Sequence, residues 1–302
     1  MMPPRARLAA WAALLVAAAP AAADAPRYRF KEGDTAQYVL NEQSTMFIDV
    51  GLGATKIVGD STFDLTWKVT RVGKDGKFTI TQTVGRVRVD IDTPGGKIKY
   101  DSKGQPPDDA LGKAAAEVFG LFPGNDMTLV VDPRGNIESL KYSAKLAAAL
   151  RKLPPQAAQA AASLSEESMR RMVGQCLPVL PPKEFAKGDS WTSGLKAKFA
   201  GVVNFTLDNK STDQGEVTRG GRKLRKIVTK SKVTASADPG APGKIEVKMQ
   251  DVGSTSYFDR AAGRLAEGAY TQNIEMEVQE NGKTVNIKAK TVTTLKQAGK
   301  EK

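Results

Sequence analysis

Few residues in this chain have both the type and the spacing that chemistry needs. Asp90 and Asp92 stand two apart in an alternating stretch, which places both carboxylates on one face of a strand, opposite Val89 and Ile91. Such a pair could bind a cation, but Arg86 and Arg88 belong to the same strand, and solvated cross-strand ion pairing is the plainer reading. Cys176 is the single cysteine, which excludes an intramolecular disulfide and any multi-cysteine metal site. With Met169, Met172 and Val173 it follows helical spacing, so it is expected as a small buried residue rather than a reactive thiol. Histidine is absent, which rules out His-based serine or cysteine nucleophiles and the usual zinc sites. A hydrolase using carboxylates, lysines or hydroxyls is the enzymatic alternative that remains. No constellation singles it out, so no catalytic, cofactor-binding or metal-binding residue is assigned and no cofactor is expected.

The densest charge lies at Arg219, Arg222, Lys223, Arg225, Lys226, Lys230 and Lys232, in a chain of net charge +12. Specific nucleic-acid binding would call for stacking aromatics or a docking motif, and neither accompanies the run. It spans a Gly220-Gly221 turn and the strand after it, which reads as an exposed sheet edge protected by charge. Contact with an anionic envelope polymer or membrane is the alternative reading. Asp108-Asp109 and Glu166-Glu167 are placed in the first turns of helices, where they complement the dipole.

The elements that must position these residues are mostly strands. Phe63, Leu65, Trp67 and Val69 are apolar at every second position, which predicts one buried and one wet face. Gly73 to Gly76 turns the chain into a strand carrying Phe78, Ile80 and Val84, then Val87, Val89 and Ile91. That change of phase predicts a bulge at Gly85. Pro94-Gly95-Gly96 starts a further strand through Tyr100, and Asp132 to Gly135 joins two short strands. Between about 106 and 182 the period becomes helical. One helix uses Leu111, Ala115, Val118, Phe119 and Phe122 and ends at Pro123. A second runs from Ser143 to Leu153, closed by Pro154-Pro155. A third opens on a capping box, Ser163 to Glu166, and reaches about Leu177. Strands resume near Ser190, and Asn281-Gly282 is the strongest hairpin signal.

The N-terminus reads as a secretory signal peptide over residues 1–23. Arg5 and Arg7 precede an apolar run from Leu8 to Ala19, and Ala21-Ala22-Ala23 offers a cleavage site between Ala23 and Asp24. A short membrane anchor is the competing reading, but the run falls below the roughly 20 residues that span a bilayer. The remainder has no candidate span, and the protein is expected to be exported to the periplasm or beyond.

Phe30-Lys31-Glu32-Gly33-Asp34 is echoed by Phe185-Ala186-Lys187-Gly188-Asp189, with Tyr38 and Trp191 following. The echo suggests two β-rich halves, 24–140 and 183–296, around a helical segment 141–182, with a loose tail at 297–302. The fold class expected is α+β, mainly antiparallel: a large curved sheet or half-barrel with the central helices packed against it. The F-x-x-G-D opening, Trp67 and the Tyr100-Asp101-Ser102 step resemble an uncharacterised family of exported bacterial β-rich proteins, a domain of unknown function. In outline the pattern is also similar to periplasmic lipoprotein and lipid carriers of the half-barrel type. That similarity implies a lipid or other apolar or amphipathic ligand held between sheet and helices, and the lack of a catalytic constellation favours a non-enzymatic role over the hydrolase alternative. An interaction scaffold with a filled core is the version without a ligand.

Overall fold

The computed structural model describes residues 25–51, 53–161, 164–199, 203–237, 244–280 and 283–299. The expected signal peptide with its Ala23–Asp24 cleavage site, Ser163 of the expected capping box, the expected loop at 238–243 and the expected Asn281-Gly282 hairpin turn lie outside them.

The chain opens with β1 (Thr35–Asp49), β2 (Ala54–Val72), β3 (Phe78–Thr93) and the short β4 (Gly96–Asp101). Helix α1 (Ala110–Phe119) precedes a hairpin of β5 (Asp126–Val131) and β6 (Ile137–Tyr142). Helices α2 (Ala144–Arg151), α3 (Pro155–Ala161) and α4 (Glu166–Cys176) follow. The second strand series is β7 (Ser190–Phe199), β8 (Val203–Arg219), β9 (Arg222–Ala237), β10 (Lys244–Asp259), β11 (Arg264–Glu280) and β12 (Lys283–Gln297). All strands among the described residues enter one open, curved, 12-stranded sheet in the order β6-β5-β3-β2-β1-β12-β11-β10-β9-β8-β7, with β4 added to β3. The two series meet where β1 pairs antiparallel with β12, from Tyr38 opposite Gln297 to Asp49 opposite Asn286. The fold is α+β and mainly antiparallel, with the helices on the concave face.

Local sequence explains most of these elements. Phe63, Leu65, Trp67 and Val69 are buried, and so are Phe78, Ile80 and Val84 on β3. Asp64 pairs with Arg86 while Leu65 pairs with Val84, so Gly85 is the extra residue of a bulge, and Val87 and Val89 return to the buried face. The two F-x-x-G-D turns have the same construction. In the first, Lys31 N donates to Asp34 Oδ2 (3.0 Å) and Gly33 N to the Val69 carbonyl (2.9 Å). In the second, Ala186 N donates to Asp189 Oδ2 (2.8 Å) and Gly188 N to the Asp213 carbonyl (2.8 Å). Both glycines hold positive φ, +88° and +97°, which a side chain resists. Each turn thereby hooks the start of one strand onto its hairpin partner, β1 onto β2 and β7 onto β8.

Several expectations need correction. The basic run is not on an edge: β9 lies between β8 and β10, and the ends of the sheet order are β6 and β7. Four of its seven charges are met by acids, three of them on the strands beside β9 and one on β11. Arg219 pairs with Glu267 (3.4 Å), Arg222 with Asp259 (3.9 Å), Lys223 with Glu216 (3.6 Å), and Arg225 with buried Asp213. A wet-face charge pattern looks the same on an inner strand as on an edge, because period 2 reports the face and not the neighbour. Asp108 and Asp109 precede α1 rather than sit in its first turn, with Asp109 as the N-cap accepting from Gly112 N (2.8 Å). The buried face of α1 runs through Gly112, Ala115 and Val118, so Leu111 stays exposed, and the helix stops at Phe119, short of Pro123.

The cap of α4 is Ser165, whose Oγ accepts from Ser168 N (3.3 Å). Glu166 does not serve a capping box. Its carboxylate is taken by β6, accepting from Tyr142 N (2.9 Å) and Lys141 Nζ (3.0 Å). Pro155 closes nothing; it opens α3 as its first residue, where its missing N–H is harmless. Gln297 still belongs to β12 and Ala298 N donates to the Gln37 carbonyl (2.9 Å), so order extends into the expected loose tail.

Candidate functional site

The residues singled out for chemistry do not converge. Asp90 and Asp92 lie on the convex face and pair with Lys99 (3.7 Å) and Lys97 (3.9 Å) of β4. Arg86 and Arg88 turn to other acids, Asp101 and Asp64. Cross-strand pairing holds, with partners different from the arginines of the same strand. Among the described residues, no group of three or more His, Cys, Asp or Glu is placed to hold a metal ion. Cys176 is fully buried at the end of α4, where burial pushes its thiol up to about 12. Its carbonyl rests on the backbone of β11 at Gly268, where a methyl would have no room.

What the fold does assemble is a banded concave face. Nearest the helices, Gly268, Leu295, Leu40, Phe63 and Val87 lie in one cross-strand row, and all four side chains are buried. The next row is different. It runs through Ser211 (β8), Thr229 (β9), Ser254 (β10), Tyr270 (β11), Thr293 (β12), Glu42 (β1) and Ser61 (β2). Beside it lie Ser193, Asn209, Ser231, Gln272, Thr291 and Ser44. Farther out the face turns apolar again, with Ile274, Ala289, Met46 and Ile57 in one row and Met276, Ile287 and Ile48 in the next. Most of this outer band, including Met46, Ile48, Met276 and Ile287, is only half-buried.

A cavity of about 330 Å³ opens in the polar belt, between α4, the β5–β6 turn and strands β7–β11. Asn209, Ser211, Thr229, Ser231, Ser254 and Tyr270 line it, with Leu207 and Leu177 among its apolar walls. Within the belt, Ser211 and Thr229 share a hydrogen bond (2.8 Å), Ser231 donates to Asn209 Oδ1 (2.6 Å) and Tyr270 to Gln272 Oε1 (2.9 Å). The charged lining residues are already engaged: Arg170 donates to Glu167 (2.8 Å) and Glu138 pairs with Lys77 (3.0 Å). Main-chain pairing of β9 with β10 runs out to Val252 opposite Ser231, and beyond it the Gln250 side-chain amide bonds both backbone groups of Val233. Farther along the belt, Glu42 accepts from Thr293 Oγ1 (3.3 Å). Burial raises its carboxyl above the ordinary range, against the lowering effects of Thr293 and of Arg171 on α4.

The belt could be missed in the sequence because its members share the strand parity of apolar residues. Leu207, Asn209, Ser211 and Asp213 are one inward-facing set, as are Ile227, Thr229, Ser231 and Val233. The available signal was a run of hydroxyls and amides holding the inward parity without breaking it.

A family model, "Family of unknown function (DUF6263)", matches residues 75–263, more than half of the 302-residue chain. No curated protein matches. Among solved structures, the chain is similar to lipovitellin, in a structure titled for its lipid–protein interactions. The TM-score is 0.51 at 10% identity, covering 90% of this chain and 26% of that one. The chain thus spans about a quarter of lipovitellin, and at this identity the likeness shows the fold alone. An outer membrane channel from Pseudomonas putida F1 aligns at TM-score 0.27 and 9% identity, covering 90% of this chain and 97% of that one. A putative outer membrane lipoprotein-sorting protein domain from Vibrio parahaemolyticus aligns at TM-score 0.15 and 9% identity, covering 87% of each chain. No helix among the described residues is long and apolar enough to cross a membrane.

Proposed function

This chain belongs to DUF6263, a family of unknown function, and we propose that it is an exported, non-enzymatic envelope protein whose concave sheet face binds an amphipathic ligand. The observation that carries the reading is the outer apolar band, Met46, Ile48, Met276 and Ile287, left half-buried beside a polar belt on the same face. An acyl chain laid on that band gains about 0.8 kcal/mol for each methylene buried. A chain of about ten carbons would outweigh the several kcal/mol lost on immobilisation. The lipovitellin likeness supports the reading as a fold analogy, which by itself assigns no ligand. Export with cleavage between Ala23 and Asp24 belongs to the same proposal.

Native mass spectrometry of protein purified from its own host tests this, together with titration of a hydrophobic fluorescent probe. A co-purifying amphiphile, and probe binding that weakens about tenfold in Ile287→Asn, are expected. No adduct and no probe binding would overturn the reading.

A second reading, docking on an anionic polymer or membrane, draws on the convex face. There, exposed Lys210 and Lys230 stand directly opposite each other across β8 and β9, and exposed Lys232 follows on β9. Like charges placed so are held apart at a cost that an anion would relieve. This reading expects binding to anionic vesicles that falls steeply with salt and drops in a Lys210→Gln, Lys230→Gln variant. Salt-independent binding would sink it.

A further inference from the structure

We propose that the headgroup of the bound amphiphile is uncharged and rich in hydroxyls, of the sugar or glycerol kind, and that it seats in the 330 Å³ cavity of the polar belt. The inference rests on the concave-face reading above and names the class of ligand for that face. Of the nine uncharged polar side chains lining the cavity, six carry hydroxyls and three, Asn136, Gln175 and Asn209, are amides. Each can donate and accept, which is the pattern that matches a polyol, whose own hydroxyls do the same. A phosphate or carboxylate would want cations, yet Arg170 already donates to Glu167 and to the Ile137 carbonyl (3.3 Å). An ammonium head would want an acid, and Glu138 is held by Lys77. A charged group brought into a cavity whose own charges are already paired loses its hydration without a free counter-ion in return.

Size and continuity agree with this. The volume lies at the small end of ligand pockets, enough for a compact head and not for a whole lipid. From the cavity, the same face leads outward through Leu207 and Val233 on β8 and β9 and through Ile274 on β11, then to Met276 and Ile287. A head among Ser231, Ser254 and Tyr270 therefore sends its chain straight onto the apolar band.

Isothermal titration calorimetry on the exported chain tests this with octyl β-glucoside, octyl sulfate and octyltrimethylammonium, all below their micelle-forming concentrations. The full sequence carries +12 and the exported chain loses only the charges of Arg5 and Arg7, so unspecific attraction would favour the sulfate and the expected order is informative. The glucoside should bind at least tenfold more tightly than either ion. Ser231→Leu should weaken it about tenfold, and Thr229→Val, a near-isosteric loss of one hydroxyl, should weaken it severalfold should the leucine variant fail to fold. Equal or tighter binding of octyl sulfate, or glucoside binding untouched by both variants, overturns the headgroup inference and leaves the concave-face reading standing. Binding of glucose as tight as octyl glucoside supports the headgroup seat and overturns the amphiphile. No binding of any of the three amphiphiles overturns both.

Discussion

One cross-strand row separates the two flanks of the sheet. On β3 it holds Val89, beside Phe78, Ile80, Val84 and Val87 on the same strand, all buried, and the helical side of that flank is filled with side chains. Followed across β1 and β12 to β8, the same row becomes Ser61, Glu42, Thr293, Tyr270, Ser254, Thr229 and Ser211, and a cavity opens beside it. Even the buried polar side chain of the first flank, Gln82, is satisfied, accepting from Trp67 Nε1 (2.7 Å). Both flanks start from an F-x-x-G-D turn of the same geometry and both are antiparallel meanders. Entry turn and pairing therefore do not decide whether an interior closes. The side chains that share one row decide it, because a row of small hydroxyls can neither fill the volume nor be left dry.

The comparison breaks most decisively through the filled flank. Phe63→Ala should cost about 3–5 kcal/mol, whereas Ser231→Ala beside the cavity should cost under about 1 kcal/mol. Urea unfolding of the two variants checks this, and equal costs would show that the second flank is packed as tightly as the first. The twin turns come next. Gly33→Ala and Gly188→Ala should each lose about 1–2 kcal/mol, since both hold positive φ and neither site crowds a methyl. A clear inequality would mean that the two turns carry different loads.

Two acids then set the regions apart by the sign of their pH dependence. Glu42 in the belt has its carboxyl raised by burial, so unfolding releases its proton once the pH exceeds the ordinary 4.5. The stability it contributes is present below that value and is lost as the pH rises through its folded pKa. Glu42→Gln should therefore raise the melting temperature at pH 7.5, with a gain that shrinks toward pH 4. An unchanged melting temperature at both would refute it. Asp101 on the filled flank is the opposite case, held at about 2 by its hydrogen bonds from Arg86. Its contribution is present above 3.8 and is lost as the pH falls toward 2. Being a surface pair, it should contribute under about 1 kcal/mol, measurable as the difference between wild type and Asp101→Asn at pH 6.

Much of the fold was legible in single residues. Alternation at Phe63 to Val69 set a strand and its buried face, the phase change placed the Gly85 bulge, and the repeated F-x-x-G-D located both strand entrances. Each of these is local: the side-chain period and the turn preferences act over a few residues. The absence of histidine and the single cysteine also bounded the chemistry without any coordinates. Three matters were settled only in three dimensions. The basic run belongs to an inner strand because β10 pairs on the far side of β9, a contact no local period encodes. Glu166 abandons a capping box because the end of β6 offers its carboxylate a backbone N–H and a lysine. And the polar belt exists because strands far apart in sequence bring Ser211, Thr229, Ser254, Tyr270, Thr293 and Glu42 into one register. Period 2 tells each strand which way to face; only long-range pairing decides what it faces together with its neighbours.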